Sequence, residues 1–155
     1  MKGRKGVRDP DSLATAAIDA ALWVHRRVGP GCLESVYETL LFERLRKLGI
    51  SVERQVPITI DVDGIVINDA FRVDLLLERT LPLELKATEQ LAGIHARQLL
   101  TYLRLMNLSL GLLINFGQEA LKGQVRRVVN NHRALSSSLR LSDENLGPTS
   151  IGSSH

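Results

Sequence analysis

The chain has 155 residues, of which 44% are hydrophobic, so it is long enough to form one domain with its own core. It has neither an apolar run of roughly 18 residues nor a signal-peptide pattern, so we expect a soluble cytoplasmic protein with no membrane partner. A single cysteine, Cys32, excludes an internal disulfide framework and a cysteine-based zinc site. The net charge of +3 permits nucleic acid as a partner without requiring it.

The first two elements are predicted to be helices. Asp9-Pro10-Asp11-Ser12 is a helix-start pattern, and Gly29-Pro30 ends that helix near Val28. A second helix is expected from about residue 33 to residue 48. Its predicted buried stripe consists of Leu33, Val36, Tyr37, Leu40, Leu41, Leu45 and Leu48.

Three strands, a helix and two more strands are predicted to follow. The strands lie at about 51–61, 65–77 and 81–87, and the helix runs from about 94 to 106. An all-apolar run at 109–116 is typical of a buried strand, and 124–130 fits an edge strand. Residues 1–9 are predicted to be a disordered basic tail and 134–155 a disordered C-terminal tail, which leaves one α/β domain at 10–133.

The candidate site lies on the hairpin formed by the second and third strands. Side-chain alternation places the apolar residues at odd positions of 71–77 on one face and Asp74 on the other. A three-residue turn at 78–80 would set Asp74 opposite Glu84, on the face that also carries Lys86. A four-residue turn would separate the two acids. We expect the three-residue turn, because only this length keeps the apolar faces together.

Two carboxylates facing each other in this way need a compensating partner. At about 5 Å they would repel by roughly 3 kcal/mol at an effective dielectric constant near 20. A shared proton, a cation or Lys86 could offset this repulsion. A divalent metal is the simplest solution, because Mg²⁺ and Mn²⁺ prefer oxygen ligands. The alternative is that Asp74, Glu84 and Lys86 form only a surface ion-pair ladder.

Three polar residues on helices are further candidates. Gln98 and Tyr102 are four residues apart and are therefore neighbours on one helix face. Glu34 lies at the edge of the buried stripe of the second helix, where a carboxylate usually has a partner. Its alternative role is that of a first-turn acid stabilised by the helix dipole.

Several motifs occur in an order that resembles a known family. Gly31-x-x-Glu34-x-x-Tyr37 is the signature after which the small bacterial GxxExxY proteins are named. The same family is resembled by four further segments: FRVDLLLE, LELKA, RQLLTYL and GLLINFG. Together, these motifs extend the resemblance over about residues 13 to 130. This family is similar to the PD-(D/E)XK nuclease superfamily. The resemblance implies a restriction-endonuclease-like core, with a mixed β-sheet and flanking helices in a single domain.

The resemblance also implies a one-metal active site. Asp74 and Glu84 would be the acids of the superfamily signature and Lys86 its lysine, which would position the attacking water. The expected ligands of Mg²⁺ or Mn²⁺ are Asp74, Glu84, the Leu85 carbonyl and, directly or through water, Glu34.

Four residues are expected to contact the substrate or to support the metal ligands: Gln98, Tyr102, Arg72 and Tyr37. Gln98 and Tyr102 match the Q-x-x-x-Y motif of the RecB-like branch. Arg72 is a candidate phosphate contact, although it could equally pair with Asp69 or Asp74. Pro82 departs from the superfamily pattern, because proline lacks a ladder amide, and it indicates a strand start or a bulge before Glu84.

We therefore expect a Mg²⁺-dependent nuclease acting on DNA or RNA. The alternative is a non-catalytic module of nuclease fold that binds nucleic acid or a protein; a third reading is an unrelated small-molecule or regulatory role. No recognition insertion stands out, so sequence specificity would come from a protein partner or be missing. The oligomeric state is left open.

Overall fold

The computed structural model describes residues 8–131 and 139–141. Within them, three helices and six strands follow in the order α1 (Pro10–Val28), α2 (Glu34–Lys47), β1 (Val52–Val62), β2 (Ile65–Leu77), β3 (Leu81–Lys86), α3 (Gly93–Met106), β4 (Leu110–Asn115), β5 (Val125–Val129) and β6 (Leu139–Leu141). The predicted α/β architecture is confirmed. Most of the two predicted tails lies outside the described residues.

All six strands belong to one mixed sheet with the order β5-β4-β3-β2-β1-β6. Neighbouring strands are antiparallel except β3 and β4, which are parallel and are connected through α3, because a parallel pair needs a crossover. At the far edge, β6 pairs with residues 60–62 of β1. Residues 139–141 belong to the predicted disordered tail, and the structure has them as a short strand that pairs with the edge of β1.

Helices cover both faces of the sheet. On one face, α1 and α2 form the largest core cluster together with alternate residues of β3 and β4, such as Leu83, Leu85 and Leu112. On the other face, Leu99 and Leu103 of α3 contact the intervening residues of β4. None of the described helices combines the length and apolar composition that a membrane crossing requires.

The hairpin between β2 and β3 has the predicted register. Three residues, 78–80, connect the strands, and Leu77, Leu76 and Leu75 pair with Leu81, Pro82 and Leu83. Two of the three turn residues, Glu78 and Arg79, have positive φ angles. Pro82 is the second residue of β3, which agrees with the strand start that its missing amide predicts.

The alternation predicted along β2 is broken at Asp74. Leu75 and Leu77 pack with α1 and α2, whereas Val73 belongs to the cluster at the end of α3. In the register of β1 and β2, Asp74 falls opposite Gln55, and this pair is missing from the ladder. Gln55 has a φ of 48°. The left-handed conformation of Gln55 interrupts the regular pleat between β1 and β2. As a result, the apolar residues of β2 before Asp74 pack against one core cluster, and Leu75 and Leu77 pack against another.

Candidate functional site

Asp74 and Glu84, here called the acid pair, meet where the β2–β3 ladder ends. The register that pairs Leu75 with Leu83 places the two acids across from each other at the next position. At this position a side chain takes the place of a backbone carbonyl of β2, because Oδ2 of Asp74 accepts a hydrogen bond from the N–H of Leu85 at 2.8 Å. This hydrogen bond holds the Asp74 carboxylate against β3, beside Glu84.

Glu84 carries a buried oxygen, Oε2, with no hydrogen-bond partner among the described residues. Burial and then the negative charge of Asp74 raise the pKa of Glu84 to about 8. Burial also raises the pKa of Asp74, and the hydrogen bond from Leu85 opposes this effect. Two half-buried carboxyl groups that face each other repel, and a shared proton or a bound cation would relieve this repulsion.

Lys86 adds a positive charge on the same face of β3. It lies two residues after Glu84, so the two side chains point in the same direction. The charge of Lys86 lowers the pKa values of both members of the acid pair, but burial raises them by more. Its half-buried side chain forms no ion pair within 4.0 Å of a described carboxylate.

Tyr102 and Gln98 approach the acid pair from α3. The ring of Tyr102 is stacked on Phe71, with 4.0 Å between ring centres, and its hydroxyl is hydrogen-bonded to Gln98. Burial and then the charges of Glu84 and Asp74 raise the pKa of Tyr102. The phenol therefore remains a hydrogen-bond donor at neutral pH, and both residues of the Q-x-x-x-Y motif lie near the acid pair.

Glu38 is a buried acid near the acid pair, which the sequence pattern did not single out. Its carboxylate accepts hydrogen bonds from the Gln55 amide at 2.7 Å and from Arg54 at 3.1 Å. The same Gln55 nitrogen lies 3.3 Å from Oδ1 of Asp74, so one side chain bridges two carboxylates. A signal did exist, because Glu38 lies three residues before the buried Leu41 on the same helix face.

Two predicted site residues lie away from the acid pair. Glu34 is exposed in the first turn of α2 and has no described contact with the acid pair, which agrees with its alternative role at the helix dipole. Because α2 begins at Glu34, this side chain lies at the helix end, one turn before Glu38. Arg72 is exposed and pairs with Asp69 at 3.0 Å, which was its alternative role.

Tyr37, which was predicted to contact the substrate or to support the metal ligands, holds the loop between α1 and α2. It is fully buried, and its ring is stacked on Phe116 with 4.5 Å between centres. Its hydroxyl donates to the Gly29 carbonyl at 2.5 Å and accepts the Cys32 N–H at 3.2 Å. Gly31 of the same loop has a φ of 103°, which favours glycine. The glycine and tyrosine of the G-x-x-E-x-x-Y segment thus shape this loop.

Asn115 lies beside Lys86 in the parallel pair of β3 and β4. Its side chain is fully buried and makes four hydrogen bonds. Its Oδ1 accepts from the N–H groups of Thr88 and Gly117, both at 3.0 Å, and its Nδ2 donates to the Thr88 carbonyl and to Gln124, both at 2.9 Å. These bonds use the full capacity of the amide and fix the chain that follows Lys86.

The donors of the acid pair fit a divalent cation. Carboxylate oxygens are the ligands that Mg²⁺ and Mn²⁺ prefer. The Oε2 atom of Glu84, which has no hydrogen-bond partner among the described residues, is available to bind such a cation. In the described part of the chain, no three acidic, histidine or cysteine side chains are grouped so that they could hold a metal by themselves. The remaining ligands would be backbone oxygen and water, several of which Mg²⁺ usually retains.

Comparison with protein families gives one result that bears on this site. A family model for the PD-(D/E)XK nuclease superfamily matches residues 11–128. The matched range includes α2, the hairpin that carries the acid pair, and α3. No curated protein and no solved structure gives a match to the chain.

Proposed function

Because the chain belongs to the PD-(D/E)XK nuclease superfamily, we propose that it is a Mg²⁺- or Mn²⁺-dependent nuclease that hydrolyses phosphodiester bonds of DNA or RNA. The observation that supports this best is the acid pair itself. Two half-buried carboxyl groups face each other beside Lys86, and one buried oxygen of Glu84 has no partner among the described residues. A cation would satisfy that oxygen and offset the repulsion between the two acids.

The metal would be held by Asp74, Glu84 and the Leu85 carbonyl. When bound, it would polarise a phosphate oxygen and lower the pKa of a water ligand. Two neutral donors already orient Asp74: the Leu85 N–H on one oxygen and the Gln55 amide on the other. Such support keeps a ligand in place and raises its affinity for metal.

Lys86 and the two residues of α3 would act on the phosphate and the water. Lys86 would position the attacking water and offset the negative charge that develops in the transition state. Tyr102, which its raised pKa keeps protonated, would donate to a phosphate oxygen of the strand. Gln98 would fix the direction of the Tyr102 hydroxyl.

The wider setting of this activity is also part of the proposal. We expect the protein to act in the bacterial cytoplasm, as the resemblance to GxxExxY proteins implies. A protein partner would supply sequence specificity, and nucleic acid would be the substrate. The second candidate function, a non-catalytic binding module, is favoured only if metal binds and no cleavage follows.

Metal binding by the acid pair is the first test. Calorimetry with Mg²⁺ and Mn²⁺ should show binding to the wild type and none to Asp74→Ala/Glu84→Ala. Binding that persists in the double variant would place the metal elsewhere. If the wild type binds no metal at millimolar concentration, with or without nucleic acid, the proposed activity is wrong.

Cleavage by Lys86→Ala is the second test. We expect this variant to lose cleavage by at least about 10²-fold, because it lacks the charge that stabilises the transition state. Its melting temperature and Mg²⁺ affinity should stay near the wild-type values. Undiminished cleavage would remove Lys86 from the mechanism.

A further inference from the structure

A second polar cleft lies between α1 and α2, apart from the acid pair. Its volume is about 620 Å³. Arginine is its most frequent charged residue, and Asp19 is the acid in its lining. The arginines that line the cleft are Arg8, Arg26, Arg27 and Arg44.

Three of these arginines have no ion-pair partner within the described residues. Arg8 is paired with Glu78, and four arginines elsewhere are each paired with a carboxylate. Arg26, Arg27 and Arg44 make no such pair. Like charges that line one cleft repel each other, and an anion bound between them would remove that repulsion.

Trp23 holds two of these guanidinium groups in place. The Cζ atom of Arg27 lies 3.8 Å from the centre of the indole ring, and that of Arg44 lies 4.3 Å from it. Arg27 donates one hydrogen bond to the Trp23 carbonyl, and the buried Nε of Arg44 has no partner among the described residues. Stacking on a ring restrains a guanidinium group and leaves the N–H donors in its plane available to a phosphate.

We propose that this cleft binds the phosphodiester backbone of a nucleic acid. Guanidinium groups match the geometry of phosphate oxygens, and three of them here form no ion pair with a described carboxylate. Arg8, from the segment before α1, lines the same cleft and extends the row of arginines to four. A series of basic residues suits a chain of phosphates better than a single anion.

The cleft holds the nucleic acid away from the acid pair. It belongs to the α1 and α2 layer, whereas Tyr102 approaches the acid pair from α3 on the opposite face of the sheet. Its role is therefore to retain the substrate. This inference rests on the proposed function only for the choice of nucleic acid as the occupant.

Trp23 is the single tryptophan of the chain, so its fluorescence reports on the cleft directly. A single-stranded oligonucleotide is titrated into the full chain in EDTA, where metal-dependent cleavage stops, and we expect saturable quenching. Arg26→Gln/Arg27→Gln should weaken binding by about tenfold or more at low salt. The slope of log affinity against log salt should fall by about 1.4, because each single-strand phosphate contact contributes roughly 0.7.

The matched control is Lys122→Gln/Arg126→Gln, which removes the same charge from exposed positions in and before β5. Equal losses in both variants would indicate general charge attraction and overturn the proposal, as would unchanged binding by Arg26→Gln/Arg27→Gln. Inorganic tripolyphosphate is titrated in parallel. Quenching by tripolyphosphate without oligonucleotide binding would mean that a free polyphosphate is the occupant, and the proposed occupant would be wrong.

Because these titrations contain no metal, their result is independent of the acid pair. The cleft can fail to bind nucleic acid while cleavage in Mg²⁺ succeeds. The opposite result, binding without cleavage, would reject the nuclease and keep the cleft.

Discussion

Two polar side chains next to Lys86, each with buried polar atoms, differ in how far their hydrogen bonds are satisfied. Asn115, its neighbour on β4, makes four hydrogen bonds and has no capacity left. Glu84, its neighbour along β3, keeps a buried oxygen without a partner in the described chain. A saturated buried amide makes the native state more specific, whereas an unsatisfied buried acid costs stability until a ligand binds.

Ionisation adds to this difference. Asn115 is neutral at every pH, so its contribution to stability is constant. Glu84 must either keep its proton or be buried as an anion next to Asp74. The two sites should therefore respond to pH and to mutation in opposite ways.

The largest expected effect is the pH dependence that Glu84 imposes on the metal-free protein. Its pKa is about 8 in the folded state, against 4.5 as an ordinary value. Below pH 4.5 both the folded and the unfolded chain hold the proton, so its stabilising contribution is fully present. As pH rises towards about 8 only the unfolded chain has released the proton, and the free energy of unfolding falls, by about 5 kcal/mol in total.

Urea unfolding across this pH range, in EDTA, measures the effect. Glu84→Gln should flatten the decline and should be more stable than the wild type at pH 8. The exposed acid Glu34 supplies the control, since Glu34→Gln should retain the full decline. A wild-type slope in Glu84→Gln would show that Glu84 is not the group responsible.

Asn115→Ala should destabilise the fold at every pH, by about 3 kcal/mol, because it leaves several buried hydrogen-bonding groups unpaired. Urea unfolding at two pH values measures the loss. Gln124→Ala is the control, and it should cost only about 1 kcal/mol, because it removes a single hydrogen bond to Asn115. A loss no greater than that of the control would mean that Asn115 does not hold the loop.

The smallest expected effect distinguishes Glu38 from Glu34, two of the acids of α2. Glu38→Gln should weaken Mg²⁺ binding by about tenfold, because Gln55 would lose the charged acceptor that holds it against Asp74. Glu34→Gln is the same change one turn earlier and should leave the affinity unchanged. Calorimetry on both variants decides between them, and a larger effect of Glu34→Gln would restore this residue as a metal ligand.

Local patterns predicted most of the fold. Helix ends followed from capping residues such as Asp9, whose side chain accepts the Ser12 N–H at 2.7 Å. The number of residues between β2 and β3 predicted that Asp74 falls opposite Glu84. These features depend on a few neighbouring residues and on side-chain periodicity, both of which can be read from one sequence.

Features that depend on contacts between distant segments were missed. Glu38 becomes part of the site only because Gln55, from β1, reaches both Glu38 and Asp74. No local rule predicts that Gln55 adopts a positive φ, and this conformation coincides with the break in alternation along β2.

The three-residue turn after β2 limits how this protein can change in length. If the connection kept three residues, one inserted residue between Leu77 and Leu81 would shift the register of β3, so that Leu83 instead of Glu84 would fall opposite Asp74. The turn at the other end of β2, around Gly64, lies far from the acid pair, and its exposed residues could accept insertions without this penalty. Length variation is therefore tolerable at one end of the strand and excluded at the other.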